Sequence, residues 1–179
     1  MKIRMTDDLA TTRLETPIGA LRLAASQEGL VAVLFPVNPQ ELPAAQGNAR
    51  ARAHLTEACT ALEKYFAGQG TTFEEVKLAA SGTEFQLQVW QALSRIPFGE
   101  TVSYASIARR IGRPKAVRAV GLANGQNPLP IIVPCHRVIG SNGSLTGFGG
   151  GIPTKKWLLE FEGALTPELL PVRASGGRR

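Results

Sequence analysis

The residues best suited to chemistry stand together in Pro134-Cys135-His136-Arg137-Val138, where a thiol, an imidazole and a guanidinium occupy three consecutive positions. An apolar run, Leu129-Pro130-Ile131-Ile132-Val133, leads in, and a turn-forming Gly140-Ser141-Asn142-Gly143 follows. Cysteine attacks as its thiolate, so its ordinary pKa of ~8.5 has to be lowered by a base or a nearby cation. His136 is the nearest base, but adjacency works against a direct bond: on extended backbone, neighbouring side chains point to opposite faces. A bridging water answers that geometry, with a carboxylate orienting the far side of the imidazole. The second half of the chain offers Glu84, Glu100, Glu160, Glu162 and Glu168. Glu162, beside apolar Phe161, is the choice from position. An inert, buried Cys-His pair is the competing reading.

Other chemistries fit less well. Structural or catalytic zinc asks for about four ligands at fixed spacing, and two cysteines and two histidines scattered along the chain do not supply them. No Cys-x-x-Cys redox pair is present. A papain-like hydrolase places its histidine far from the cysteine in sequence. The expectation is a nucleophilic thiol with no metal and no cofactor.

The elements that must position this thiol come in two groups. Residues 11–35 alternate like a small antiparallel sheet, with Ser26-Gln27-Glu28-Gly29 as a turn between Leu21-Arg22-Leu23 and Leu30–Phe35. Pro36–Asn48 is a loop. Residues 49–67 form a helix with Leu55, Cys59, Leu62 and Phe66 on its apolar stripe and Gly68 at its end. On that stripe Cys59 is an inert thiol, and His54 has no second ligand in reach. Thr71–Leu78 is a further strand candidate. After the join at 79–83, Thr83 and Gln86 make a capping box for a helix burying Phe85, Val89, Trp90, Leu93 and Ile96. Ser103 caps Tyr104–Ile111, Gly112-Arg113-Pro114 turns, and Lys115–Asn124 forms a second helix, a helix-turn-helix pattern. Thr146–Gly151 is a glycine-rich loop that lacks the phosphate-loop pattern and suits close approach of a planar ligand. Pro153 at the first helical position opens a last helix, Thr154–Glu162, ended by Gly163.

This layout predicts an α/β N-terminal domain (1–80), a mostly helical, winged-helix-like catalytic and DNA-binding domain (81–165) and a disordered tail (166–179). Nothing approaches the ~20 apolar residues of a membrane span, no secretory signal is visible, and two isolated cysteines make no disulfide framework. The expected setting is the cytoplasm. Charge is uneven: residues 1–80 carry 8 Lys and Arg against 9 Asp and Glu, whereas residues 81–179 carry 12 against 5. Between Glu100 and Glu160 there is no acid, only Arg109, Arg110, Arg113, Lys115, Arg118, Arg137, Lys155 and Lys156. Such a region attracts a polyanion, nucleic acid above all. The second helix of the pair holds one arginine, Arg118, among small residues, which suits close approach to a groove with little reading of base edges.

Together these segments resemble the O(6)-alkylguanine-DNA alkyltransferases. The likeness spans about residues 82–163: Asn127-Pro-Leu-Pro-Ile-Ile-Val leading into Pro134-Cys-His-Arg-Val138, with Phe98-Gly-Glu, Ser103-Tyr, Pro114-Lys-Ala, Arg118-Ala-Val, Gly150-Gly and Trp157-Leu-Leu. The first 80 residues resemble the family only in layout. The resemblance implies a monomer that binds the minor groove of double-stranded DNA, flips an alkylated guanine (or O(4)-alkylthymine) out of the stack and takes its alkyl group onto Cys135 in one irreversible turnover. It implies His136 as water-mediated base, Glu162 as its orienting carboxylate, Tyr104 as proton donor to the leaving base, and Asn127 as the residue that holds the active-site turn. It further implies Arg118 as the finger filling the gap in the duplex. Gln86, Arg113 and Ser141 fall at DNA-contacting positions, and Pro130, Val138, Phe148 and Gly149 at pocket positions. Where some relatives have Tyr-Ser, this chain has Phe148-Gly149, which predicts a pocket open to larger alkyl groups. The alternatives are a non-catalytic binder of alkylguanine DNA, which would lack the acceptor thiol, and a thiol hydrolase of unrelated substrates.

Overall fold

The alternating runs pair as the sequence predicts. In the computed structural model, which describes residues 9–42 and 44–165, β1 (Ala10–Leu14), β2 (Leu21–Ser26) and β3 (Gly29–Leu34) form an antiparallel sheet in the order β1-β2-β3. The strict alternation of β2 breaks at a register shift between Ala24 and Ala25. A bulge of this kind lets consecutive residues face the interior, and both alanines are buried. The predicted disordered tail lies outside the described residues.

Helix α1 (Ala49–Phe66) packs on β2 and β3. Asn48 caps it by accepting from the Ala51 amide, and Gly68, at φ 70°, ends it in the left-handed region. Its buried side differs from the predicted stripe: Ala51, Leu55, Ala58, Ala61, Leu62 and Tyr65 are buried, while Cys59 and Phe66 are only partly so. The arc is rotated because α1 is covered on a second side. Tyr65 packs against Phe98 and Phe161 of the second half, with ring centroids 6.1 and 5.3 Å away.

Thr71–Leu78 does not form a strand. The chain crosses β3 at a single bridge, Leu30 to Leu78, where the Leu30 amide donates to the Lys77 carbonyl and the Ala79 amide to the Leu30 carbonyl, both at 2.8 Å. Further along that edge the Val33 amide donates to Pro128 of the second half (2.8 Å), so β3 spends its free edge on the loop that carries the thiol.

In the second half, α2 (Glu84–Leu93) begins with the predicted capping box of Thr83 and Gln86. The indole of Trp90 donates to the Ala123 carbonyl (2.9 Å), tying α2 to α4 (Val117–Gly125). Ser103 caps α3 (Tyr104–Arg110), and α3 and α4 pack together as the helix pair. Two short strands, β4 (Val102–Ser103) and β5 (Val138–Ile139), pair in parallel and fix the start of α3 beside the residues that follow Arg137. The last helix, α5, runs Ile152–Phe161, so Pro153 is its second residue rather than its first, and Glu162 is its C-cap. The buried apolar residues form one continuous cluster through both halves, from Ala10 to Leu158. No described helix is long and apolar enough to cross a membrane.

Candidate active site

The loop before the cysteine is held by one side chain. Asn127 accepts from the Leu129 amide (3.0 Å) and donates to the Val133 carbonyl (2.8 Å), so both ends of the run are pinned to one residue. Between them Ile131 has φ 75°, a conformation that costs a β-branched residue ~1–3 kcal/mol and persists where surroundings over-determine it. Ile131 is fully buried among other apolar side chains, and that packing offsets the strain.

Cys135 does not sit on extended backbone. Residues Cys135–Arg137 form a single 3₁₀ turn, with all three side chains buried. The opposite-faces argument from sequence is therefore replaced by a different geometry. The loop carbonyls have bent the chain into a turn: the Cys135 amide donates to Val133 (2.8 Å) and the Arg137 amide to Pro134 (3.0 Å). Burial pushes the Cys135 thiol up to about 11, even though a hydrogen bond with Asn127 and the charge of Lys155 pull it down. At rest the group is a protonated thiol.

Glu162 is the centre of the site's hydrogen bonding. Its Oε1 accepts from the hydroxyl of Tyr65 (2.7 Å) and from Nη2 of Arg137 (2.9 Å), and pairs with Nε2 of His136 (2.8 Å). Its Oε2 accepts from Nε of Arg137 (2.7 Å). The two guanidinium bonds make a bidentate pair, and Nη1 of Arg137 donates to the Ile96 carbonyl (2.6 Å). Burial raises the Glu162 carboxyl, but the bonds from His136 and Arg137 outweigh it and hold it at about 2. His136 is pushed down, first by burial and then by the charges of Arg137 and Lys155, against the pull of Glu162. Its Nδ1 has no protein partner, so the imidazole is neutral and oriented from one side.

Behind the thiol lies a buried cation. Lys155 Nζ donates to the carbonyls of Val138 (2.6 Å) and Thr146 (3.0 Å) and lies 5.9 Å from the centre of the Tyr104 ring. Burial brings its pKa down to about 8. The Tyr104 hydroxyl donates to the same Thr146 carbonyl (3.2 Å), and burial raises its pKa, so the phenol keeps its proton.

A cavity of about 350 Å³ opens on Cys135. Of the pocket positions implied by the resemblance, Pro130, Phe148 and Gly149 line it; so do Asn127 and, from the first half, residues 33–35 and 38–40. Val138 is not in its wall: it is fully buried in β5 and its carbonyl is taken by Lys155. Phe148 rests against Phe35, ring centroids 5.2 Å apart. Nothing lies within 4 Å of where a Cβ on Gly149 would stand, so that rim is open.

On the outer face, Arg118 is exposed in the first turn of α4, and Arg113 is exposed in the turn with its guanidinium 5.6 Å from the Phe85 ring centre. Ser141 is exposed. Gln86 is engaged within the protein, accepting from the Thr83 amide and donating to Gln126 (both 2.8 Å). Of the eight basic residues between Glu100 and Glu160, Arg137 and Lys155 are buried, which leaves Arg109, Arg110, Arg113, Lys115, Arg118 and Lys156 on the surface. Sequence reasoning put Arg137 and Lys155 in the polyanion-attracting set and passed over Tyr65 altogether. The signal for Lys155 was its position among Trp157, Leu158 and Leu159 on one short helix. Among the described residues no three His, Cys, Asp or Glu side chains cluster as a metal site would need.

Known proteins match both halves of the chain. Residues 84–164 match the family model described as 6-O-methylguanine DNA methyltransferase, DNA binding domain, and residues 9–80 match the same family's ribonuclease-like domain. A methylated-DNA–protein-cysteine methyltransferase of Methanosarcina acetivorans is 51% identical over 150 residues, covering 84% of this chain and 96% of that protein. One from Mycobacterium tuberculosis is 49% identical over 161 residues, covering 86% and 92%. Among solved structures, Mycobacterium tuberculosis OGT in complex with DNA superposes with a TM-score of 0.76 at 46% identity, covering 87% of this chain and 92% of that one. With both family segments matched in order and relatives near half identity over most of its length, this chain belongs to the 6-O-methylguanine DNA methyltransferase family.

Proposed function

We propose that the protein repairs DNA by direct reversal, moving the alkyl group of O(6)-alkylguanine in duplex DNA onto Cys135. The observation that carries this reading is the placement of the Cys135 thiol at a cavity of about 350 Å³, one residue from an imidazole bonded to a buried carboxylate. The target oxygen lies inside the base stack, so the base is flipped into that cavity. The thiol proton passes through a water to Nδ1 of His136, and the sulfur attacks the alkyl carbon. The S–C bond forms as the C–O(6) bond breaks, Tyr104 gives a proton to N3 of guanine so that the base leaves neutral, and the proton held on His136 returns through solvent to the Tyr104 phenolate. The S-alkyl thioether has no easy reverse reaction, so each molecule reacts once.

DNA binds on the helix pair. Arg118 enters the duplex where the base has left, and Arg113 and Ser141 meet the backbone. The exposed face of α4 offers Arg118, Ala119 and Leu122, one cation among small or apolar side chains, which fits minor-groove binding with little sequence preference. Gln86 contacts DNA only by giving up its bond to Gln126. We place the protein in the cytoplasm as a monomer, with 1–80 and 81–165 as its two units; the separate family matches to 9–80 and 84–164 support that division.

The test is intact-protein and peptide mass after incubation with duplex oligonucleotide carrying O(6)-methylguanine. A gain of one methylene on Cys135, stoichiometric and terminal, is the expected result. Cys135→Ala should bind the same duplex and gain nothing. Binding without mass change in the unaltered protein would make it a binder instead. The open rim at Gly149 and the missing hydroxyl at Phe148 further predict that benzylguanine DNA reacts at a rate within about tenfold of methylguanine DNA. A strong preference for methyl would refute that part.

A further inference from the structure

The bond between Tyr65 and Glu162 joins residues 97 positions apart, and it ends on the very carboxylate oxygen that pairs with His136. A buried phenol needs some partner, and a backbone carbonyl would serve. Here it donates instead to an ionised group that already holds Arg137 and His136. Tyr65 is fully buried in the last turn of α1. Its ring is fixed by Phe66, Phe73, Phe98 and Phe161 at centroid distances of 5.1, 5.5, 6.1 and 5.3 Å. The hydroxyl therefore has little freedom to turn elsewhere. Burial and the neighbouring Glu162 charge both raise its pKa, so it remains a donor throughout the working pH range.

We propose that Tyr65, from the first half of the chain, is a positioning residue of the alkyl-transfer site: it fixes Oε1 of Glu162 and limits how strongly that oxygen holds a proton on His136. This rests on the reading of His136 as the base for Cys135. Three donors share Oε1, and each one withdraws part of its capacity from the other two. Removing the Tyr65 hydroxyl leaves more of that oxygen to His136 and makes the imidazole more basic. The other groups acting on His136 are Arg137 in the same turn, and Lys155 on α5, both of which favour the neutral ring. Tyr65 works in the same direction, through Glu162. A base must be unprotonated to accept the thiol proton, so transfer fails below the imidazole pKa, and raising that pKa moves the acid limb of the rate profile upward.

The experiment measures single-turnover methyl transfer from duplex O(6)-methylguanine DNA between pH 5 and 8. It compares the unaltered protein, Tyr65→Phe, and the full chain with 3-fluorotyrosine placed at position 65. Tyr65→Phe should shift the acid limb up by about half a pH unit or more, and slow the reaction about threefold where that limb is fully developed. Fluorine acidifies the phenol and strengthens its donation while keeping its contacts, so that chain should shift the limb down. Opposite shifts support the inference, because lost packing alone would not reverse sign. Should Tyr65→Phe fail to fold, the downward shift with fluorotyrosine carries the decision. Limbs that coincide within about 0.2 unit, in a protein that does methylate Cys135, overturn the role of Tyr65 and leave alkyl transfer standing. An unaltered protein that methylates Cys135 but shows no acid limb overturns it too, and no methylation at all removes the reading beneath it.

Discussion

Replacing Arg137 with methionine should destabilise the protein by about 3–5 kcal/mol, the usual consequence of removing one partner of a buried ion pair. Three guanidinium bonds disappear, two to Glu162 and one to the Ile96 carbonyl. The carboxylate is left buried with only Tyr65 and His136 as donors. In a chain of this size that loss lowers the melting temperature by roughly 10 °C. The same change should suppress alkyl transfer near neutral pH, because Arg137 is one of the charges that keep His136 neutral. Without it, Glu162 and His136 settle as carboxylate and imidazolium, and the base is already protonated. Adding Glu162→Gln removes the unpaired charge, so the double variant should be less destabilised than the sum of the two single ones. Thermal melts of all three variants decide this. A loss under about 1 kcal/mol for Arg137→Met would mean that the pair is not the anchor its geometry suggests.

That anchor was half legible in the sequence. Cys135, His136 and Glu162 come together as the motif and the resemblance imply, since a Pro-Cys-His-Arg run and a short terminal helix fix where each must stand. Arg137 sat inside the motif, yet its charge alone suggested a solvated or DNA-facing role. A single sequence offers no way to see that it spends its charge inward on Glu162. Lys155 misled for the same reason: its charge suggested a surface role, although its spacing from Leu158 and Leu159 sets it on the buried face of α5. The shift of α1 from a Cys59 and Phe66 stripe to one ending in Tyr65 has a tertiary cause. Helical spacing identifies an apolar side, but the second half of the chain decides which residues of that side are covered. The strand expected at Thr71–Leu78 failed on the same ground, with the outer edge of β3 committed to Pro128. Periodicity reports what a segment would do alone, and the contacts between the two halves changed the answer at each of these places.

His136→Ala should slow alkyl transfer at pH 7 by about 10²–10⁴-fold, the range for loss of a general base. A thiol held at about 11 by burial is ionised in roughly one molecule in ten thousand at neutral pH. The unaltered protein escapes this limit by passing the proton to the imidazole as sulfur attacks. Without His136 the reaction has to draw on the small thiolate population that exists at equilibrium. That population grows tenfold per pH unit, so the rate of the variant should rise about tenfold from pH 7 to pH 8, where the unaltered protein is flat. Near pH 8 the rise should slacken, because Lys155 then loses its proton and no longer favours the thiolate beside it. Rates of methylation of Cys135 between pH 6.5 and 9 measure both slopes. A variant as fast as the unaltered protein, or one with a flat profile, would show that the thiol is activated by the Lys155 charge and Asn127 alone, and that His136 serves only to hold the turn.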